Sequence, residues 1–250
     1  MFLLKSRIRN LNLPIDCQIK LFDQTIIPLL LYGSEIWGPE NCSIIEKLHT
    51  DFLRSILSVK RSTPLYMLYG ELGRFPLMIH IKTRMVNFWL RLMHGNQNKL
   101  SYRIYKALLA DHICGTYNHK WITFVESIFN ETGFSYVWLL QNNHHPKNLN
   151  LVISERLKNQ YFQVWADTVH HSGKSVCYRM FKNSINLEPY LLILPENMKN
   201  TFIKYRTSNH RLPIETGRWE NITRSERVCT LCDKNLIGDE YHYVFECDFF

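Results

Sequence analysis

The chain has 250 residues, a net charge of +8 and a pI of about 9.1. Its residues are 46% hydrophobic and 21% charged, with few glycines and prolines, which excludes a disordered or low-complexity protein. A basic chain favours anionic partners, and nucleic acid is the first of these, although a basic surface kept for solubility gives the same net charge.

The positive charge is concentrated in residues 52–110. This stretch holds ten lysines and arginines and a single acidic residue, Glu71, whereas residues 1–51 hold five cations and six acids. The stretch therefore carries more net charge than the whole chain, which favours an anion-binding surface there.

Hydrophobic periodicity predicts a mostly α-helical fold that ends in a small C-terminal zinc-binding segment. Asn12 and Pro14 indicate the start of a first helix, and Pro28 is expected to end or kink it. Ser43 and Glu46 fit a capping box at the start of a second helix. Further helices are predicted over 77–94, 100–113, 120–130 and 151–170.

The helix predicted over 77–94 carries one polar stripe opposite its apolar side. The members of the stripe recur at helical spacing and are His80, Arg84, Asn87, Arg91 and His94. Gly95 follows as a C-cap. Such a basic stripe can follow a phosphate backbone, and an ordinary solvated face fits the pattern equally well.

Cations alternate with aromatic residues again near the C-terminal end. Tyr205 and Trp219 are interleaved with basic residues, which suits single-stranded nucleic acid because rings stack on bases while arginine binds phosphate. The alternative is that the rings belong to the core beneath a basic rim. The candidate nucleic-acid contacts of the whole chain are Arg74, Lys82, Arg84, Arg91, Arg206, Arg211 and Arg218.

The pattern C-x2-C-x9-H-x4-C closes the chain, formed by Cys229, Cys232, His242 and Cys247. Thiolates and imidazole are the ligands that zinc prefers, and a C-x2-C pair brings two sulfurs onto one ion. Four protein ligands leave no position for water, so the pattern predicts structural rather than catalytic Zn²⁺. A chance gathering of reduced cysteines is the alternative.

The remaining cysteines are Cys17, Cys42, Cys114 and Cys177, and all four are predicted to be small buried thiols. An odd number of cysteines without a regular framework favours a reducing intracellular compartment, the nucleus or the cytoplasm. The longest apolar run is far shorter than the ~20 residues needed to span a bilayer, so no membrane partner is expected. No small-molecule substrate is indicated, and a protein partner stays open.

The polar stretch 141–150 is predicted to be a linker that divides the chain. It separates helical regions at 1–62 and 63–140 from a helical connection at 151–205 and a zinc-binding segment at 206–250. His144 and His145 within the linker are interpreted as exposed loop residues, because no third metal ligand lies near them in the sequence.

Several segments of the chain resemble, in order, the part of LINE-like non-LTR retrotransposon proteins that follows the polymerase domain. Residues 31–38 resemble a segment just downstream of that domain, and residues 240–247, after Cys229 and Cys232, resemble the C-terminal zinc-binding segment. The other similar positions are Lys182, 188–191 and 206–213. The resemblance implies a thumb-like region at 1–62, and basic helices and a zinc segment that bind template RNA or target DNA.

In that family, catalysis depends on paired aspartates that hold two Mg²⁺ ions for phosphoryl transfer. This chain has no two adjacent aspartates, so the resemblance carries over no catalytic residue and no enzymatic activity is expected. A Met1 start just before the thumb-like region suggests a truncated element copy or a partial gene model. Because the nine residues between Cys232 and His242 exceed the spacing of the short retroviral zinc knuckle, no base-stacking role is transferred to Tyr241 or Phe245.

The sequence therefore predicts a non-catalytic RNA- or DNA-binding fragment of a retrotransposon reverse transcriptase with a structural zinc site. A zinc-stabilised protein-interaction module or a functionless element remnant is the alternative.

Overall fold

The computed structural model describes residues 13–38, 40, 42–141 and 146–250. Over these ranges the chain is mostly helical and forms no strand longer than the two isolated antiparallel bridges, Leu72–Leu187 and Val228–Ile237. The predicted mostly α fold is confirmed. Asn12, His144 and His145 lie outside the described residues, and so does the middle of the predicted linker.

The helices follow one another in chain order with the following bounds. They are α1 (Ile15–Thr25), α2 (Ile27–Leu30), α3 (Ser34–Trp37), α4 (Cys42–Leu57), α5 (Leu65–Glu71), α6 (Leu77–His94), α7 (Leu100–Ile113), α8 (Lys120–Glu131), α9 (Ser135–Leu140), α10 (Leu149–His171), α11 (Tyr178–Phe181), α12 (Tyr190–Ile193), α13 (Glu196–Arg206) and α14 (Pro213–Trp219), then a 3₁₀ turn (Arg224–Glu226) and a π-helical turn (His242–Glu246).

The long helices lie where hydrophobic periodicity predicted them. α6 has the predicted bounds, and α7, α8 and α10 agree with the prediction within two residues. As expected, α1 ends at Thr25 and Pro28 lies in the first turn of α2, because the proline ring has no place in a helix interior. The shorter helices escape prediction, since one or two turns are too few to establish a period.

Two predicted helix ends differ from the structure. Glu46, predicted to cap its own helix, accepts a hydrogen bond from the backbone N–H of Leu77, with 2.6 Å between Oε2 and N. The carboxylate therefore satisfies one of the unpaired N–H groups at the start of α6. Gly95 ends α6 with an extended backbone at φ −77° rather than the left-handed conformation of a typical C-cap glycine.

The prediction of four buried thiols outside the zinc pattern is wrong. Cys17 and Cys114 are exposed, and Cys42 and Cys177 are half-buried. On α1 the buried side carries Ile15, Ile19 and Phe22, and Cys17 lies on the opposite side of the helix.

The described residues fall into two compact units, each assembled from segments that are distant in sequence. The first unit comprises Cys17–His49 and Phe75–Phe162, and the second comprises Thr50–Arg74 and Gln163–Phe250 with residues 13–16. The five contiguous segments expected from the sequence stay a prediction. No helix in the described part of the chain is long and apolar enough to cross a membrane.

The core of the first unit forms around α6. Trp89 is fully buried, its ring packs edge-on against Phe129 at 4.9 Å between centroids, and its indole N–H donates to the Tyr105 hydroxyl at 2.9 Å. Ile81 and Met85 on the same side of α6 are also fully buried. The apolar side of the helix is thus taken up by the core, which leaves the predicted polar stripe on the other side.

Candidate metal centre and nucleic-acid interface

The first two cysteines of the zinc pattern lie in a tight hairpin. The backbone N–H of Cys229 donates to the carbonyl of Leu236 at 2.8 Å, and that of Gly238 donates to the carbonyl of Arg227 at 2.8 Å. Asn235 adopts a positive φ of 53°, which asparagine tolerates better than most residues. The chain therefore reverses direction between Cys229 and Leu236.

His242 begins the short helical turn that follows, and Cys247 comes directly after the last residue of that turn. The backbone N–H of His242 donates to the carboxylate of Asp239 at 3.0 Å, which fixes the start of the turn. The backbone N–H of Cys247 donates to the carbonyl of His242 at 2.8 Å. This contact closes the turn and brings Cys247 back beside His242.

The four residues of the pattern meet at one point. Their ligand atoms all lie within 4.8 Å of one another, with 3.9 Å between the sulfurs of Cys229 and Cys247 and 3.4 Å from the Cys232 sulfur to His242 Nε2. Tetrahedral bonds of about 2.3 Å to sulfur and 2.0–2.1 Å to nitrogen would separate two sulfurs by about 3.8 Å and sulfur from nitrogen by about 3.6 Å. The cluster therefore has the dimensions to hold a metal ion.

The surroundings of His242 fit the same interpretation. The side chain is 1% exposed, and among the described residues its Nδ1 makes no hydrogen bond, although the Glu246 carboxylate lies 3.6 Å away. In metal sites the second ring nitrogen of a histidine ligand commonly faces a carboxylate, which orients the ring. Because His242 Nε2 faces the Cys232 sulfur, the Glu246 carboxylate lies near the other ring nitrogen, Nδ1, as expected for a carboxylate that orients a histidine ligand.

The Cys229 thiol lies in an environment that favours the thiolate. Burial raises its pKa, but hydrogen bonds from the Tyr243 hydroxyl and the Leu231 backbone N–H oppose this effect and lower the pKa to about 6. Since metals bind the thiolate, this environment suits a ligand.

The hairpin is tied to the helices before it by polar contacts. The buried Glu240 carboxylate pairs with His210 at 2.8 Å, and its backbone carbonyl accepts a hydrogen bond from the Tyr205 hydroxyl at 3.1 Å. The Gly238 backbone approaches Pro213 so closely that a Cβ there would lie 2.9 Å from the proline ring. Through their contacts with Glu240, Tyr205 and His210 thus attach the C-terminal segment to the rest of the second unit.

The polar stripe of α6 lines a pocket of about 570 Å³ in the first unit. We call it the polar pocket, and its lining residues are Glu35, Arg84, Asn87, Leu90, Arg91, His94 and Asn150. Two of the seven candidate nucleic-acid contacts, Arg84 and Arg91, are thus brought together. The Arg84 guanidinium donates to the backbone carbonyl of Leu31 at 2.9 Å, which orients it.

Two of the other candidate cations, Lys82 and Arg218, are paired with acidic residues. Lys82 is 18% exposed and paired with Glu131. Arg218 pairs with Glu215 at 2.9 Å and donates to a backbone carbonyl. Arg74 is half-buried, whereas Arg211 is exposed. The sequence could not distinguish paired cations from exposed ones, and the role of these cations as phosphate contacts stays a prediction.

Arg206 requires a correction, because its guanidinium is buried. It is 7% exposed, binds the carboxylates of Glu71 and Glu188 at 2.9 Å each, and stacks 4.1 Å from the ring centre of Phe181. Tyr190 also donates to Glu71, at 2.6 Å. A cation held in this way is not available to a phosphate backbone, so Arg206 stabilises the second unit instead.

An apolar groove of about 840 Å³ lies in the second unit between α11, α13 and the π-helical turn. Its rim carries exposed side chains, among them Met180, Met198 and Phe245. Tyr241, which also lines the groove, packs against Phe245 at 5.2 Å between ring centres. These two rings therefore contribute to an apolar surface.

Two residues of the polar pocket escape a prediction from sequence. Glu35 and Asn150 lie on α3 and α10, far from α6 along the chain, and no spacing rule connects them with the stripe. For Glu35 the only sequence signal is the short segment of residues 31–38, whose two glycines and tryptophan are typical of a packed corner.

No known protein family matches this chain, and no curated protein or solved structure matches it either.

Proposed function

We propose that this chain binds RNA or DNA without catalysing a reaction, and that one structural zinc ion stabilises its C-terminal segment. The observation that carries the proposal is the polar pocket, in which Arg84, Arg91 and His94 share one concave surface of about 570 Å³. We further propose that the chain corresponds to the thumb-to-zinc-segment part of a LINE-type reverse transcriptase. The similar segments in the sequence support this assignment.

The pocket suits phosphate groups for two reasons. The planar guanidinium of Arg84 is already oriented by the Leu31 carbonyl, so little side-chain entropy is lost when it binds an anion. Arg91 is 68% exposed and lies 3.9 Å from the Glu35 carboxylate, a loose surface pair that stabilises by less than about 1 kcal/mol. A phosphate can therefore compete for Arg91, and contacts of this kind position a backbone without reading its sequence.

The zinc assignment is based on the ligand set. Three thiolates and one imidazole whose ligand atoms lie within 4.8 Å of one another are typical of structural zinc sites. Four protein ligands complete the coordination shell, so the ion would supply no open position for chemistry. Cys229 and Cys232 would bind the ion from the hairpin, and His242 and Cys247 would bind it from the two ends of the helical turn. The ion would thereby join the hairpin to the turn.

The test is the affinity of the purified chain for single-stranded RNA and duplex DNA across a salt series. Neutralising six or more phosphates is expected to cost on the order of a thousandfold in affinity between ~50 and ~200 mM salt. The double variant Arg84→Ala/Arg91→Ala should bind more weakly at every salt concentration and with a shallower salt dependence.

The matched control is Lys120→Ala/Lys158→Ala, which removes the same charge from the first unit outside the pocket, at one exposed and one half-exposed position. Weak binding that does not vary with salt, in a folded chain, would contradict nucleic-acid binding. An equal effect of the control pair would remove the pocket from the proposal.

A second candidate function is a zinc-stabilised protein-interaction module. The apolar groove favours it, because exposed methionine and aromatic side chains around a concavity are common at protein interfaces. A partner segment with an apolar face would bind there with little dependence on salt. The salt series therefore separates the two functions.

A further inference from the structure

We propose that the polar pocket selects RNA over DNA, and that Glu35 determines this choice by accepting a hydrogen bond from a ribose 2′-hydroxyl. This inference rests on the proposed nucleic-acid binding and adds the sugar that the site recognises. It begins from the one acidic residue among the pocket's lining residues.

A carboxylate is out of place in a pocket that binds only phosphate. Its oxygens repel phosphate oxygens, and an ionised carboxylate accepts hydrogen bonds but donates none. The pocket is therefore best matched by a ligand that offers an anionic group to Arg84 and Arg91 and, beside it, a hydrogen-bond donor to Glu35. An RNA nucleotide carries both, because the 2′-hydroxyl neighbours the 3′-phosphate on the same sugar, and DNA lacks that donor.

The spacing of the two charges suits one nucleotide. The Glu35 carboxylate lies 3.9 Å from the Arg91 guanidinium, so a sugar hydroxyl and the adjacent phosphate can reach both groups at once. Asn87 and Asn150 add carboxamides to the lining, and these both donate and accept hydrogen bonds. The pocket thus offers complementary groups to phosphate and ribose together.

The Glu35 backbone is held by contacts of the corner at residues 31–38. Gly33 opens α3 with a positive φ of 68°, a conformation that favours glycine, and the indole N–H of Trp121 donates to the backbone carbonyl of Glu35 at 2.7 Å. The carbonyl that orients Arg84 belongs to Leu31, in the same corner. The same corner therefore holds the Glu35 backbone beside the pocket and orients the Arg84 guanidinium.

The expected discrimination is moderate. Glu35 is 27% exposed, so water and Arg91 can satisfy its carboxylate when the ligand is DNA. A preference of roughly tenfold for RNA is expected, in keeping with one charge-assisted hydrogen bond that is partly open to solvent.

The first measurement uses the full chain and three single-stranded oligonucleotides of one sequence at one fixed salt concentration. They are RNA, DNA and 2′-fluoro RNA, whose small fluorine replaces the hydroxyl and cannot donate a hydrogen bond. RNA should bind roughly tenfold more tightly than either of the others. RNA-like affinity of the 2′-fluoro oligonucleotide would overturn the inference, and this result depends on no variant.

The second measurement repeats the comparison with Glu35→Ala. The RNA-to-DNA affinity ratio should fall to about one, because the RNA loses its acceptor. The control Glu40→Ala removes the same charge from an exposed residue of the first unit outside the pocket and should keep the wild-type ratio. If Glu35 merely repelled phosphate or positioned Arg91, the substitution would shift the RNA and DNA affinities equally and leave their ratio unchanged. An unchanged ratio in Glu35→Ala would therefore overturn the inference.

The two levels of the proposal fail differently. Steep salt dependence with equal affinity for all three oligonucleotides removes the sugar selectivity and leaves nucleic-acid binding intact. The absence of salt-dependent binding to any of them removes both.

Discussion

Arg206 and Arg211 lie five residues apart in one cation-rich segment, yet the structure places them in opposite environments. Arg211 is exposed, whereas Arg206 is 7% exposed and bound by Glu71 and Glu188. Burial lowers the pKa of Arg206, but the two carboxylates raise it by more, so the guanidinium stays charged. The cost of burying this charge is offset only while its partners remain in place.

Replacing Arg206 by alanine should therefore destabilise the protein strongly. The variant leaves the fully buried Glu71 carboxylate without its cation, and the loss should be about 3–5 kcal/mol in the free energy of unfolding. Urea denaturation checks this, with Arg211→Ala as the control, for which a change within about 0.5 kcal/mol is expected. Similar midpoints for the two variants would show that the buried pair contributes little.

At the scale of the element, the hairpin and the helical turn of the C-terminal segment are each too short to be stable alone. The hairpin is closed by two backbone hydrogen bonds around Cys229 and Gly238, and the turn by one between Cys247 and His242. The polar contacts of Glu240 tie the segment to the preceding helices. A bound ion would add four further bonds between the two elements, so the segment should depend on the metal for its order.

Removing one ligand should abolish tight metal binding and loosen the segment. Cys232→Ser is expected to weaken zinc affinity by more than about a hundredfold, beyond the upper range for loss of an outer-shell partner. Competition with a chelator measures the affinity, and a thermal melt should show a lower midpoint. Cys114→Ser, at an exposed position outside the cluster, is the control and should retain one zinc per chain. Equal zinc content in both variants would contradict the four-ligand site.

At the scale of the whole molecule, the net charge of +8 overstates the charge that is available to a partner. Several cations that the sequence proposed as phosphate contacts are occupied by acidic partners that the fold brings to them, as Lys82 is by Glu131. Arg91, in contrast, is 68% exposed and only loosely paired. Exposure, rather than the number of cations in a stretch, should decide which residues bind phosphate.

The salt dependence of RNA binding should therefore separate these residues. Arg91→Ala is expected to reduce the slope of log affinity against log salt by about 0.7, the contribution of one phosphate contact to a single strand. Lys82→Ala should leave the slope unchanged, because its ammonium group is already neutralised by Glu131. Equal reductions would mean that net charge alone governs binding.

The sequence by itself determined what local contacts decide. Apolar and polar residues that recur every three to four positions predicted both ends of α6. They also predicted its polar stripe, which includes Arg84 and Arg91, because a helix places residues at this spacing on one side. Cysteine and histidine spacing predicted the four residues that meet in the Cys/His cluster, because the hairpin and the turn bring nearby residues together. Both patterns act over about twenty residues or fewer.

Only the tertiary structure decided which distant residues meet. Arg206 pairs with Glu71, which is 135 residues away in the sequence. Glu35 lies beside α6 in the polar pocket, although no sequence spacing predicts that contact. Such pairings depend on how the apolar sides of the helices pack, and packing is a property of the whole core. The sequence therefore identified the candidate residues. The fold decided which of them are buried in ion pairs and which are exposed and available to a ligand.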